Sequence, residues 1–205
     1  MLVARVNDGS RSRSGTELTA RLVDEAARLL VEHGPAGLSL RRLAAAVGVS
    51  TMPVYTLFGD KQGLLAAMHR EGFQRLGQAL LDVPRTDDPV ADLGQLGFAY
   101  RRAALASPHL YGLMFGRLVP EFTPDTGGRA AADAAYRPLV DGVARATAAG
   151  QMAGDPERVA LHLWAVAHGM VSLELNQQLP EGDAEELYAA ALGYAGIPFL
   201  GGAPA

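Results

Sequence analysis

Residues 39–61 read SLRRLAAAVGVSTMPVYTLFGDK, and the spacing of the apolar side chains predicts two short helices joined by a tight turn. Leu40, Leu43, Ala44 and Val47 recur at i, i+3, i+4 and i+7, which gives the first helix one face to bury. Ser39 is its expected N-cap, and Leu38 with Leu43 can form a hydrophobic staple across the cap. Gly48 then supplies the left-handed conformation that stops a helix, and Val49 fills the angle. Ser50 caps the second helix. Because Pro53 has no N–H to offer, the Ser50 hydroxyl is expected to accept from Met52. On this helix Val54, Leu57 and Phe58 are expected on one side. Thr51, Met52, Tyr55 and Thr56 fall within roughly 140° of one another at about 100° per residue.

Helix, glycine turn and a second helix with an unburied face is the geometry of a helix-turn-helix, whose second helix enters the DNA major groove. A helical hairpin used only as scaffold has the same periodicity. GVSTMPVYTLFGDKQGLL resembles the signature of the tetracycline-repressor (TetR) family of bacterial transcription regulators, a pattern of the type GVS…YxHFxxKxxLL. ARLVDEAARLLVEHGPAGLSLRRLA before it is similar to the family's first two helices, so the resemblance covers about Thr16 to Phe73. It implies that Thr51, Met52 and Tyr55 sit in the groove and that Tyr55 and Lys61 meet phosphates. Leu57 stands where the family often has His, which removes one expected phosphate contact. The candidate DNA-contact set is Ser39, Ser50, Thr51, Met52, Tyr55, Thr56 and Lys61.

Working outward, residues 1–15 are polar and carry Arg5, Arg11 and Arg13, which reads as a flexible arm able to reach phosphates or a minor groove, or as a solvated tail. The first helix is expected from about Glu17 to His33, with Leu22, Ala26, Leu29 and Leu30 inward and Gly34-Pro35 at its end. Asp60 caps a fourth helix running to about Leu81. Residues 16–76 form the expected DNA-binding domain, 84–88 a linker, 84–196 an effector-binding and dimerisation domain, and 197–205 a tail. Asp88-Pro89, Ser107-Pro108 and Asp155-Pro156 each read as a cap followed by a first helical position. Pro120–Gly128 reads as the longest loop, Pro138 falls within the helix that follows, and Asp183 with Glu186 resembles a capping box. The chain is expected to be all-α, with about nine helices.

The eighth helix is apolar on two faces, one with Val159, Leu163, Val166, Met170 and Leu173, the other with Trp164, His168, Val171 and Leu175. One face needs a partner, and with the small residues of the ninth helix it predicts a homodimer through helices 8 and 9. WAVAHGMVSLEL also resembles the Trp-x-x-x-His-Gly element of one C-terminal subfamily of these regulators, and YRRAALASPHLYGLMFG its earlier helices. Trp164 and His168, with Phe98, Tyr111, Met114, Phe115 and Tyr136, form the candidate ligand set for a flat, largely apolar effector; each also reads as plain core.

Composition narrows the alternatives. The 205 residues are 49% hydrophobic and contain no cysteine, which excludes disulfides and thiolate metal sites. The net charge of −4 conceals a balance of +3 over residues 1–70 and −7 over the rest, so the basic end is the helix-turn-helix end. No long apolar run or leader is present, and a soluble, cytoplasmic protein without membrane contact is expected. The five histidines make no HExxH pair, and no GxSxG, GxxxxGK[ST] or strand-bound GxGxxG occurs. No catalytic residue, metal or cofactor is therefore expected. The expected partners are a double-stranded DNA operator, bound by a homodimer acting as a repressor, and a small-molecule effector. The rivals are a helical interaction protein without DNA binding and, more remotely, an enzyme.

Overall fold

The computed structural model describes residues 8–116, 119–180 and 182–201. Among them are nine α-helices: α1 (Asp8–Gly37), α2 (Leu40–Val47), α3 (Thr51–Phe58), α4 (Lys61–Leu81), α5 (Pro89–Ala106), α6 (Pro108–Phe115), α7 (Thr126–Ala148), α8 (Pro156–Leu175) and α9 (Ala184–Gly196), with a 3-10 turn at Ile197–Phe199. The all-α class follows directly. No helix among the described residues is long and apolar enough to cross a membrane.

The chain forms two compact units, Met1–Gly72 with His109–Arg129 and Phe73–Pro108 with Ala130–Ala205. Residues 109–129, expected in the C-terminal domain, therefore belong with the helix-turn-helix: Leu110, Leu113 and Val119 join its core. In that first unit Leu22, Ala26, Leu29 and Leu30 of α1, Leu40, Leu43 and Ala44 of α2, Val54 and Phe58 of α3, and Leu64, Leu65 and Met68 of α4 are all buried. Val47 and Val49 pack against them. Ser39 caps α2 as its residue type predicts, its Oγ accepting from the Arg42 N–H at 3.2 Å. Gly48 lies at φ 73°, ψ 33°, and its N–H and that of Val49 satisfy the free carbonyls of Ala45 and Ala44.

The helix over residues 17–33 does break at Gly34 (φ 67°, ψ −179°), but it starts earlier than the sequence suggests. The expected flexible arm is helical from Asp8 onward. Once α1 is anchored by its buried stripe, each added Arg, Ser or Glu costs only helix propagation, and no proline intervenes. Arg5, residues 202–205 and the side chains of Arg11 and Arg13 lie outside the described residues.

In the second unit two Asp-Pro starts form as expected: the Asp88 and Asp155 carboxylates accept from the N–H groups of Ala91 and Arg158, each at 3.0 Å. The Asp183 cap does not form. Its φ −108°, ψ 4° is not the extended backbone a capping side chain requires, and no side-chain cap bond is made. The polar linker is pinned through Asp92, which accepts from the Thr86 N–H (2.9 Å), the Thr86 hydroxyl (2.7 Å) and Arg145 Nη1 (2.9 Å). These donors hold the Asp92 carboxyl below its ordinary value. The tail is also held, by Gly201 N–H on the Gln151 carbonyl and Ala153 N–H on the Phe199 carbonyl, both at 2.7 Å.

A Cβ on Gly48 would meet nothing within 4 Å, so only its backbone conformation demands glycine. Gly48→Ala is expected to cost about 1–2 kcal/mol in urea denaturation and Gly48→Asn less, because Asn tolerates the left-handed region.

Candidate nucleic-acid interface

The inner line of α3 is set by Val54 and Phe58, four residues apart and both buried. At about 100° per residue, Tyr55 and Leu57 lie symmetrically on either side of that line, and they are 44% and 45% exposed. Leu57 is thus not a core residue, contrary to its expected place beside Val54 and Phe58. Thr51, Met52 and Thr56 are exposed as well, Met52 at 74%, and Met52 and Thr56 are turned furthest from the buried line.

Ser50 has the extended backbone of a cap (φ −68°, ψ 160°), yet its side chain makes no cap bond. The expected bond from Met52 is absent, and the other usual donor, three residues on, is Pro53. The corner after α3 is closed instead by Gly59 N–H on the Tyr55 carbonyl (2.8 Å) and by Asp60, whose Oδ1 accepts from Gly63 N–H at 2.8 Å. Thr56 donates its hydroxyl to the Met52 carbonyl at 2.9 Å.

Lys61 does more than face solvent. Its Nζ donates to the Pro35 carbonyl and ties the start of α4 to the segment between α1 and α2. One of its three donors is spent there, so it holds the corner as well as being the phosphate candidate the resemblance implies. Sequence reasoning misses Arg41 and Arg42, which are exposed on α2. The signal is present all the same: both stand off the Leu40-Leu43-Ala44-Val47 stripe in the basic part of the chain.

The seven candidate ligand residues do not form one set. Tyr111 and Phe115 of α6 meet at a tilt of 55° with ring centres 4.8 Å apart, in the first unit. In the second unit Tyr136 meets Trp164 edge-on at 5.9 Å, and Trp164 lies 5.6 Å from His168. Tyr100, which the sequence does not single out, joins them: its hydroxyl accepts from Trp164 Nε1 at 3.3 Å and is 3.2 Å from His168 Nδ1. Phe98 pairs with Tyr188 instead, at 6.0 Å. Met114 lines a cavity of about 400 Å³ within the first unit, with His69, Leu113, Gly116, Val119, Pro120, Phe122 and Pro124. His69 is 5% exposed and its ring lies 5.7 Å from that of Phe122. Gly128 packs against the same imidazole, since a Cβ there would come within 2.9 Å of His69 Nδ1. Burial pushes the His69 imidazole below its ordinary value, with nearby Asp125 opposing, and burial does the same to His168.

Two family models match the chain. Residues 22–68 match the bacterial regulatory proteins of the tetR family, and residues 93–193 match the tetracyclin repressor-like C-terminal domain. The chain is 30% identical over 119 residues to the HTH-type transcriptional regulator Rv1816 of Mycobacterium tuberculosis, covering 56% of this chain and 50% of that protein. It is 35% identical over 72 residues to the HTH-type transcriptional repressor AcnR of Corynebacterium diphtheriae, covering 34% and 38%. The chain thus spans about half the length, or less, of these curated relatives. A solved structure of a protein of unknown function from Rhodococcus sp. RHA1 superposes with a TM-score of 0.76 at 32% identity, over 89% of this chain and 95% of that one.

Because His69 and His168 are held below the ordinary imidazole value, the unfolded chain takes up protons on them before the folded chain does. The stability they carry is complete above a pKa of about 6.5 and is lost as pH falls through the folded values. Denaturation at descending pH between about 7 and 5 should show falling stability, with a flatter slope in His69→Gln and in His168→Gln.

Proposed function

This chain belongs to the TetR family of bacterial regulatory proteins, and from that premise we propose that it is a ligand-responsive transcriptional regulator, acting as a repressor, that binds a palindromic operator as a homodimer. The observation that carries the reading is the outer face of α3. Thr51, Met52, Tyr55 and Thr56 stand in solvent on an eight-residue helix whose other side is sealed by Val54 and Phe58. Such a helix fits a major groove, and Arg41, Arg42 and Lys61 supply positive charge for the phosphates. Repression is supported by the 35% identity over 72 residues to the HTH-type transcriptional repressor AcnR.

Dimerisation through α8 and α9 is supported by an apolar stripe. Leu187, Ala190, Tyr194 and Ile197 are exposed at helical spacing, Tyr194 at 73%, and Leu161 and Leu173 of α8 are exposed as well. A second copy would cover them. For the effector, the cavity around His69 and Met114 is the better seat, because the Trp164–Tyr100–His168 group is already joined by hydrogen bonds. His69 follows Leu64, Leu65 and Met68 on α4, which belong to the head's own core. A ligand against His69 therefore presses on the helix that supports the reading head. It can shift operator affinity only by its differential affinity for the two poses.

Selection of bound genomic fragments with the purified protein is expected to recover an imperfect palindrome. On that duplex Thr51→Ala and Tyr55→Ala should each cost about 1–3 kcal/mol by fluorescence anisotropy. Arg41→Ala and Arg42→Ala should weaken binding to all sequences and flatten the salt dependence by about one unit for each phosphate left without its arginine. Unchanged affinity in all four variants would contradict the reading.

A further inference from the structure

The residue types on α3 constrain how it could read a base pair. Thr51–Phe58 is TMPVYTLF, with no Lys, Arg, His, Asn, Gln, Asp or Glu. The usual bidentate contacts, arginine or lysine on guanine O6/N7 and asparagine or glutamine on adenine N6/N7, are therefore closed to this helix. The basic side chains that flank α3 in sequence, Arg41, Arg42 and Lys61, lie on α2 and at the start of α4. Lys61 is moreover tied to the Pro35 carbonyl.

What α3 offers is apolar. Met52 is 74% exposed, the most exposed large apolar side chain in the first unit's described part, and Thr51 and Thr56 bring methyl groups on the same face. Thr56 commits its hydroxyl proton to the Met52 carbonyl, which leaves its methyl and its lone pairs to meet a partner. The major groove carries one apolar feature that distinguishes a base, the thymine C5-methyl group. A thioether held in water at this site loses nothing by desolvation and gains apolar burial when it meets such a methyl.

We propose that α3 reads its half-site through thymine C5-methyl groups, with Met52 as the principal contact and Thr51 and Thr56 beside it. Tyr55 contributes its ring edge and hydroxyl. The inference rests on the DNA-binding reading above and assigns the class of base feature recognised. Because the contact is to a methyl at C5 rather than to a hydrogen-bonding group, 5-methylcytosine at the same position satisfies the same contact.

The test uses the duplex recovered by selection, with each thymine of a half-site replaced in turn by deoxyuridine, which removes the methyl and preserves pairing. At one or more positions affinity should fall about fourfold or more per methyl, the factor that burial of one such group provides. In Met52→Ala the thymine and deoxyuridine duplexes should bind alike at the position Met52 touches, while the wild-type protein still separates them. Equal affinity for both bases at every position in the wild-type protein, with Thr51→Ala and Tyr55→Ala still weakening binding, would overturn the inference and leave operator binding intact. Failure to bind any selected duplex would overturn the DNA-binding reading and the inference with it.

Discussion

Burial of Val54 and Phe58 in the core shared by α1, α2 and α4 governs everything that the reading head presents to solvent. An eight-residue helix is too short to persist in water by its own hydrogen bonds, because nucleation is unfavourable and there is little length over which to recover it. α3 exists because its inner line joins a core that contains Leu22, Leu43, Leu64 and Leu65, each fully buried. The same packing decides what faces out. With Val54 and Phe58 fixed, Tyr55 and Leu57 fall on the two shoulders and Met52 on the crest. Exposure of the outer face of α3 is a geometric consequence of the core.

The corners make that arrangement rigid. Gly48 turns α2 into α3 in a conformation few other residues adopt, and the Asp60 carboxylate with the Gly59 N–H closes the turn into α4. Lys61 adds a longer-range tie to the Pro35 carbonyl. Three short segments thus behave as one head, with α4 as its last wall. The cavity beside His69 abuts that wall within the same unit, so an effector seated there would act on the head without a long relay.

The elements legible in the sequence are those whose signals are local. The α2 stripe, the glycine turn, the Ser39 cap and two Asp-Pro starts need only neighbours within four residues, and all of them form. The misreadings involve competition or distance. Ser50 meets a proline where its second donor should be, and Asp183 takes a backbone conformation incompatible with capping. The link of Lys61 to Pro35 spans 26 residues and that of Tyr100 to His168 spans 68, separations at which periodicity carries no information. The candidate ligand residues are alike in type, and the fold distributes them over two units. His69 escapes notice in the sequence because a histidine on a core helix looks like any other buried polar residue until its neighbours are known.

Whether the crest of α3 lies in the major groove of duplex DNA can be measured at single-residue resolution, because the chain has no cysteine. Met52→Cys carrying an iron–EDTA cleavage reagent, bound to a selected operator, should cut the duplex at two clusters in major-groove positions, about one helical turn or a multiple of it apart. Reagent at an exposed control position on the second unit should cut nothing in register. Absence of cleavage from position 52 on a duplex the protein demonstrably binds would contradict that placement of the helix.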